Sequence, residues 1–135
     1  MASDGPTSAP NGVLLLVEDE PFLLTYMHKV LSREGYDVLT ACSAEDAWEL
    51  FQQEASRVRA VVTDVFMQGD WDGVELARRV NEAAPSTRVL LVTGYPSTRL
   101  LGPGRSVLEK PFTADLLKAA VGRLVGAAGS TGGTA

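Results

Sequence analysis

The stretch Val61-Val62-Thr63-Asp64-Val65-Phe66-Met67 carries an apolar, β-branched run to a single carboxylate and then to further apolar residues. Side chains suited to burial on both faces mark an interior parallel strand, and open sheets of such strands bind ligands outside the strands' carboxyl ends. Asp64 therefore falls where chemistry is expected. An isolated aspartate more often caps a helix or stabilises a turn, so its weight depends on what the rest of the chain brings to the same rim.

On either side, short apolar runs alternate with segments of helical period, the pattern of βα units around a parallel sheet. The first strand is read at residues 13–17, followed by Glu18-Asp19-Glu20 and by Pro21, whose fixed φ suits a first helical turn. Phe22, Leu23, Tyr26, Met27, Val30 and Leu31 then recur every four residues, a stripe expected to face the sheet, and Gly35 ends the helix. His28 falls off that stripe and reads as a solvated surface side chain. A second strand spans 36–41, and Ser43 caps a helix to residue 54 that buries Ala47, Leu50 and Phe51, with Trp48 partly packed. The third strand is 60–64. After Gln68-Gly69-Asp70-Trp71 a helix covers 72 to about 84 and stops before Pro85. Trp71 covers a loop or faces a partner. Residues 88–93 form a central fourth strand, whereas 94–104, with two prolines and three glycines, leave room for about one turn of helix. A fifth strand at 106–109 leads through Lys110-Pro111 to a last helix capped by Thr113, with Leu116, Leu117, Ala120, Val121, Leu124 and Val125 on its sheet-facing side.

This places one domain at residues 12–125. Residues 1–11 and 126–135 are largely Ser, Thr, Gly, Pro and Ala, which bury too little surface to offset their ordering entropy, and are expected to be disordered tails. A length of 135 residues suits one domain. The net charge of −5, with no Lys/Arg cluster, argues against direct nucleic-acid binding. Cys42 is the single cysteine, so no internal disulfide forms; it is expected to be a buried small apolar residue in a reducing compartment. The start of the chain lacks an export signal, and no apolar run nears the roughly 18 residues that span a membrane. A cytoplasmic protein with no membrane contact is expected.

Glu18, Asp19, Asp64, Thr93 and Lys110 each stand at or just beyond the C-terminal end of an expected strand. Parallel strands gather those ends on one rim. Three carboxylates there repel by roughly 3 kcal/mol per pair at ~5 Å and an effective dielectric of about 20. A hard divalent ion such as Mg²⁺, with one ammonium, balances them. Such a site has a carboxylate free to attack an electrophile, a cation and a Lys to hold phosphoryl oxygens, and a hydroxyl to donate to them.

In this order and spacing these residues resemble the response-regulator receiver domain of two-component signalling. That family has an acidic pair after the first strand, a phosphoaccepting Asp ending the third, Thr or Ser ending the fourth, and Lys-Pro after the fifth. The resemblance covers nearly everything between the tails. It implies an α/β, flavodoxin-like (βα)5 fold, a single doubly wound five-stranded parallel sheet, here with a shortened fourth helix. By the same resemblance Asp64 is the phosphoacceptor, Asp19 a direct Mg²⁺ ligand, Glu18 a ligand through water, and the Phe66 backbone carbonyl completes the protein ligands. Thr93 contacts the phosphoryl group, Lys110 pairs with it, Met67 is the apolar residue three positions after the acceptor, and the Lys110-Pro111 bond is cis. The implied donor is a histidine kinase or histidine phosphotransfer protein, and the chain catalyses only its own phosphorylation and dephosphorylation.

Two departures stand out. Val107 occupies the position where receivers usually carry a switching aromatic, which leaves Tyr95, two residues after Thr93, as the nearest substitute. Thr93 and Lys110 are only 17 positions apart, and the missing length falls on the fourth helix. The Thr-Gly-Tyr run and this shortening resemble receivers of hybrid histidine kinases and some stand-alone receivers. With no output domain after residue 125, the chain is expected to act through a partner or to come from a longer protein. Two other functions compete. Asp70-Trp71-Asp72 suggests a metal-dependent phosphohydrolase-like domain, although Phe66 stands where such enzymes need a second carboxylate. A receiver-like scaffold that binds without phosphate would have lost an acidic residue or the Lys, and here all are present.

Overall fold

A computed structural model describes residues 11–129. The elements run β1 (Gly12–Val17), α1 (Pro21–Arg33), β2 (Tyr36–Ala41), α2 (Ala44–Glu54), β3 (Val58–Asp64), α3 (Gly73–Ala83), β4 (Arg88–Thr93), a 3₁₀ turn (Thr98–Leu100), β5 (Arg105–Glu109) and α4 (Ala114–Gly129). All four strand pairings are parallel, in the order β2-β1-β3-β4-β5. The chain leaves β1 in one direction to make β2 and returns past it to make β3. The order thus reverses between β1 and β3, and a crevice opens at their carboxyl ends.

Alternation along the strands divides the core. Leu15, Val17, Val61 and Leu91 pack with Ala47, Phe51, Leu76 and Val80 of α2 and α3. Leu14, Leu16, Val62 and Leu90 pack with Met27 and Leu31 of α1 and with Leu117, Val121 and Leu124 of α4. Full burial of each such side chain stabilises by about 1.5–3 kcal/mol. Helix starts are fixed locally: Glu20, Ser43, Asp72 and Thr113 accept from the amides of Leu23, Asp46, Glu75 and Leu116 at 2.8, 3.1, 2.9 and 3.1 Å. The Ser43, Asp72 and Thr113 caps contribute about 1 kcal/mol each.

Several expectations are corrected. Phe22 is 85% exposed, and Tyr26 and Leu116 are also exposed, so the faces of α1 and α4 that meet the sheet are narrower than every-fourth-residue counting suggests. Cys42 is exposed, because it follows the last residue of β2 and precedes the Ser43 cap instead of lying within the strand. Helix α4 continues to Gly129, past the expected boundary at 126, since alanines at 127 and 128 favour helix. Asn11 is tied to the fold by its amide, which donates to the Gly35 carbonyl at 3.0 Å. The rest of the two expected tails lies outside the described residues. His28 is exposed, and Trp71 is half-buried with the Arg79 guanidinium 3.8 Å from its ring centre, so it packs against α3. None of the described helices is long and apolar enough to cross a membrane.

Glu75 ties this surface together, with Oε2 2.8 Å from both Arg78 and Arg79. Hydrogen bonds from these two guanidiniums hold its carboxyl down at about 2, against an ordinary value of 4.5. A depressed folded-state value means the stabilisation is present above about 4.5 and lost as pH falls toward 2. Glu75→Gln should therefore flatten the fall in urea midpoint across that window. An equally steep fall in the variant would contradict this.

Candidate functional site

The strand ends deliver the polar residues. Glu18 follows β1, with its amide donating to the Ala41 carbonyl at 3.1 Å and its Oε2 accepting from the Glu20 amide at 3.0 Å. Asp64 ends β3, beside Val92 in the β4 register, and the Val65 amide donates to the Val92 carbonyl at 3.0 Å. Lys110 leaves β5 with its own amide on the Thr93 carbonyl at 2.8 Å, and the following Lys110-Pro111 bond is cis. These backbone bonds set where the side chains start, independently of any ligand.

One carboxylate oxygen each from Glu18, Asp19 and Asp64 lies within 4.8 Å of the others. Lys110 Nζ stands 3.0 Å from Asp64 Oδ1 and 3.6 Å from Glu18 Oε1. Glu18 and Asp64 are buried while Asp19 is exposed, so the cluster opens to solvent on one side. Burial pushes the Glu18 carboxyl up, against the hydrogen bond from Glu20. It pushes Asp64 up likewise, against the Lys110 hydrogen bond and charge. For Lys110 burial acts downward, but the Asp64 hydrogen bond and the Glu18 charge outweigh it and raise the ammonium. Three carboxylates beside one ammonium leave two negative charges uncompensated. This all-oxygen set is the chemistry of a hard divalent cation, whose charge would offset the remaining two.

Thr93 is buried, and its Oγ1 accepts from the Tyr95 amide at 3.0 Å. Tyr95 and Phe66 are exposed and meet edge to face, with ring centres 6.0 Å apart. Asp70 and Asp72, the pair behind the phosphohydrolase reading, do not join the cluster: Asp72 caps α3, and the Asp70 amide is held by Glu45.

Two residues of the site escape sequence reading. Gly73 approaches so closely that an added Cβ would lie 2.0 Å from the Asp64 carbonyl oxygen, and its amide donates to Val65 at 2.8 Å. Its only sequence signal is its place after the Asp72 cap. Glu45, in the first turn of α2, accepts from the amides of Asp70 and Trp71. In sequence it looks like any acidic residue favoured by a helix N-terminus.

The family model for the response regulator receiver domain matches residues 14–122. The chain is 32% identical over 104 residues to the response regulator receiver protein CpdR of Brucella abortus, an alignment covering 73% of this chain and 84% of CpdR. It is 32% identical over 110 residues to the nitrogen assimilation regulatory protein NtrX of Azorhizobium caulinodans, covering 77% of this chain but only 24% of that much longer protein. Its fold superposes on the crystal structure of the receiver domain from the hybrid histidine kinase CckA with a TM-score of 0.74 at 27% identity, over 84% of this chain and 99% of that one. The acidic crevice at the β1/β3 switch point thus sits in a fold and a sequence context that agree, and the chain belongs to the response regulator receiver domain family.

Proposed function

We propose that this phosphoacceptor module takes a phosphoryl group onto Asp64 from the phosphohistidine of a histidine kinase or phosphotransfer protein, in the cytoplasm, and thereby switches partner binding. The observation that carries this reading is the buried Asp64 carboxylate, flanked by Glu18 and Asp19 and 3.0 Å from Lys110. An Asp64 oxygen bonds to phosphorus as the phosphorus–nitrogen bond breaks, and the imidazole leaves with the bonding electrons and takes up a proton from solvent. Lys110 neutralises the phosphoryl oxygens, and the Thr93 hydroxyl donates to one of them. Glu18, Asp19, Asp64 and the Phe66 carbonyl would hold Mg²⁺, which offsets charge on the transferring group. Beside this rim an apolar cavity of about 410 Å³, lined by Leu23, Tyr26, Pro111 and Phe112, offers a surface for the donor protein. The chain acts on no separate substrate. In the presence of Mg²⁺ and acetyl phosphate its intact mass should rise by one phosphoryl group, and a chain that stays unmodified would contradict the proposal.

Within the same reading, Asp19→Asn should weaken Mg²⁺ binding about tenfold or more, and Glu18→Gln less, since a direct ligand loses more than one acting through water. Calorimetric titration decides between them; equal affinity of wild type and Asp19→Asn would reject the role of Asp19.

The switch follows from one hydrogen bond. Because the Tyr95 amide sits on Thr93 Oγ1, movement of Thr93 toward a phosphoryl group draws the Tyr95 backbone with it. Val107 supplies no aromatic on β5, and the only helix in residues 94–104 is the single 3₁₀ turn Thr98–Leu100. The response is therefore expected in that loop, with α4 moving little. Hydrogen exchange with and without beryllofluoride should show changed protection over residues 94–104; changes confined to α4 would contradict it.

A further inference from the structure

The loop between β3 and α3 reaches over the acidic crevice, and its amides are distributed between two carboxylates. The Gln68 amide donates to Asp19 Oδ2 at 3.2 Å. The amides of Asp70 and Trp71 both donate to Glu45 Oε2, at 2.9 and 3.1 Å. Glu45 comes from a different element, the first turn of α2, and is not a member of the carboxylate cluster. Gly69 passes against it at φ +113°, where an added Cβ would stand 3.0 Å from Glu45 Oε1. No side chain other than hydrogen fits that approach without strain. At its far end the loop is closed by Trp71 beneath Arg79 and by the Gly73 amide on Val65.

Asp19 has two calls on the same carboxylate. It anchors Gln68, and under the function proposed above it must also coordinate a cation. A second anchor on the loop, and with it on the Phe66 carbonyl, would hold it in place whether or not Asp19 carries a cation. We infer that Glu45 is a positioning residue for this site, a buttress from α2 that holds the β3–α3 loop in register with the crevice so that cation binding and phosphoryl uptake find it already arranged. This rests on the function proposed above and adds the residue that pre-forms it. The two amide bonds to one oxygen account for part of what lowers the Glu45 carboxyl, after its own backbone amide.

The test compares wild type with Glu45→Ala, Glu45→Gln and Glu45→Asp in the full chain. Three quantities are read: Mg²⁺ affinity by calorimetry, phosphoryl uptake from acetyl phosphate at saturating Mg²⁺, and thermal unfolding. Glu45→Ala is expected to weaken Mg²⁺ binding about tenfold, the scale for residues that orient metal ligands, and to slow uptake even at saturating metal. Glu45→Gln keeps an acceptor oxygen at the same reach and should restore both to within about twofold of wild type. Glu45→Asp keeps the helix N-terminal charge but withdraws the oxygen by one methylene, so it should behave like the Ala variant and remains informative if that variant does not fold. Lowered melting temperatures with unchanged Mg²⁺ affinity and uptake would reduce Glu45 to a structural role and overturn the inference. So would a Gln variant as impaired as Ala, which would make charge and not position the cause. A wild type that takes up no phosphoryl group overturns the proposed function together with this inference; a phosphorylated wild type matched by Glu45→Ala overturns the inference alone.

Discussion

Asp64→Asn is expected to take up no phosphoryl group from acetyl phosphate while keeping the fold of the wild type. The carboxamide has the shape of the carboxylate but no anionic oxygen to attack phosphorus, and it makes one of the three oxygen donors that gather within 4.8 Å neutral. The change does not open a cavity in the core, because Asn has nearly the volume of Asp and position 64 is the last residue of β3. Lys110 loses its partner at 3.0 Å but retains Glu18 at 3.6 Å, so no ammonium is stranded. Intact mass reads the first effect and circular dichroism the second. Uptake by the variant at the wild-type rate would place the acceptor elsewhere.

Gly73→Ala should destabilise the domain by about 1–3 kcal/mol, the scale of an overpacked contact. The added Cβ would meet the Asp64 carbonyl oxygen at 2.0 Å, its carbon at 2.9 Å and Val65 Cα at 3.0 Å. All three are backbone atoms, so no side chain can turn aside, and the start of α3 must retreat from β3. That retreat stretches the 2.8 Å bond from the Gly73 amide to Val65 and disturbs the packing of Leu76, Ala77 and Val80. Gly94→Ala is the control: nothing lies within 4 Å of its added Cβ, and loss of unfolded-state freedom should make it neutral or stabilising by up to about 1 kcal/mol. Denaturant unfolding separates the two, and equal stabilities would show that α3 can yield without cost.

How far the sequence could be read depends on whether a feature is local. Strands β2 and β4 are legible to the residue, because β-branched and apolar runs end at recognisable turn or cap residues. The start of β3 at Val58 is not, because polar Arg59 interrupts the run and the pairing of Val58 with Val13 comes only with a register shift. On the helices the period was legible but the phase was not: a stripe drawn through every apolar residue includes Phe22, Tyr26 and Leu116, whereas contact with the sheet selects Met27, Leu31, Leu117 and Val121. The carboxylates, Thr93 and Lys110 could be found because each ends or follows a strand, so a correct strand count places them on one rim. Glu45 and Gly73 could not, since their importance lies in contacts with residues 70–71 and 64–65 that only the packed α2, β3 and α3 create.

The central claim is that one carboxylate, Asp64, receives the phosphoryl group. Its most direct test is to incubate the wild-type chain with acetyl phosphate, with and without Mg²⁺, and to locate the modification by peptide mapping after reductive trapping of the acyl phosphate. The account predicts one Mg²⁺-dependent phosphoryl group, on the peptide carrying Asp64 and at that residue. A trapped residue other than Asp64, or uptake that persists undiminished without the metal, would contradict it.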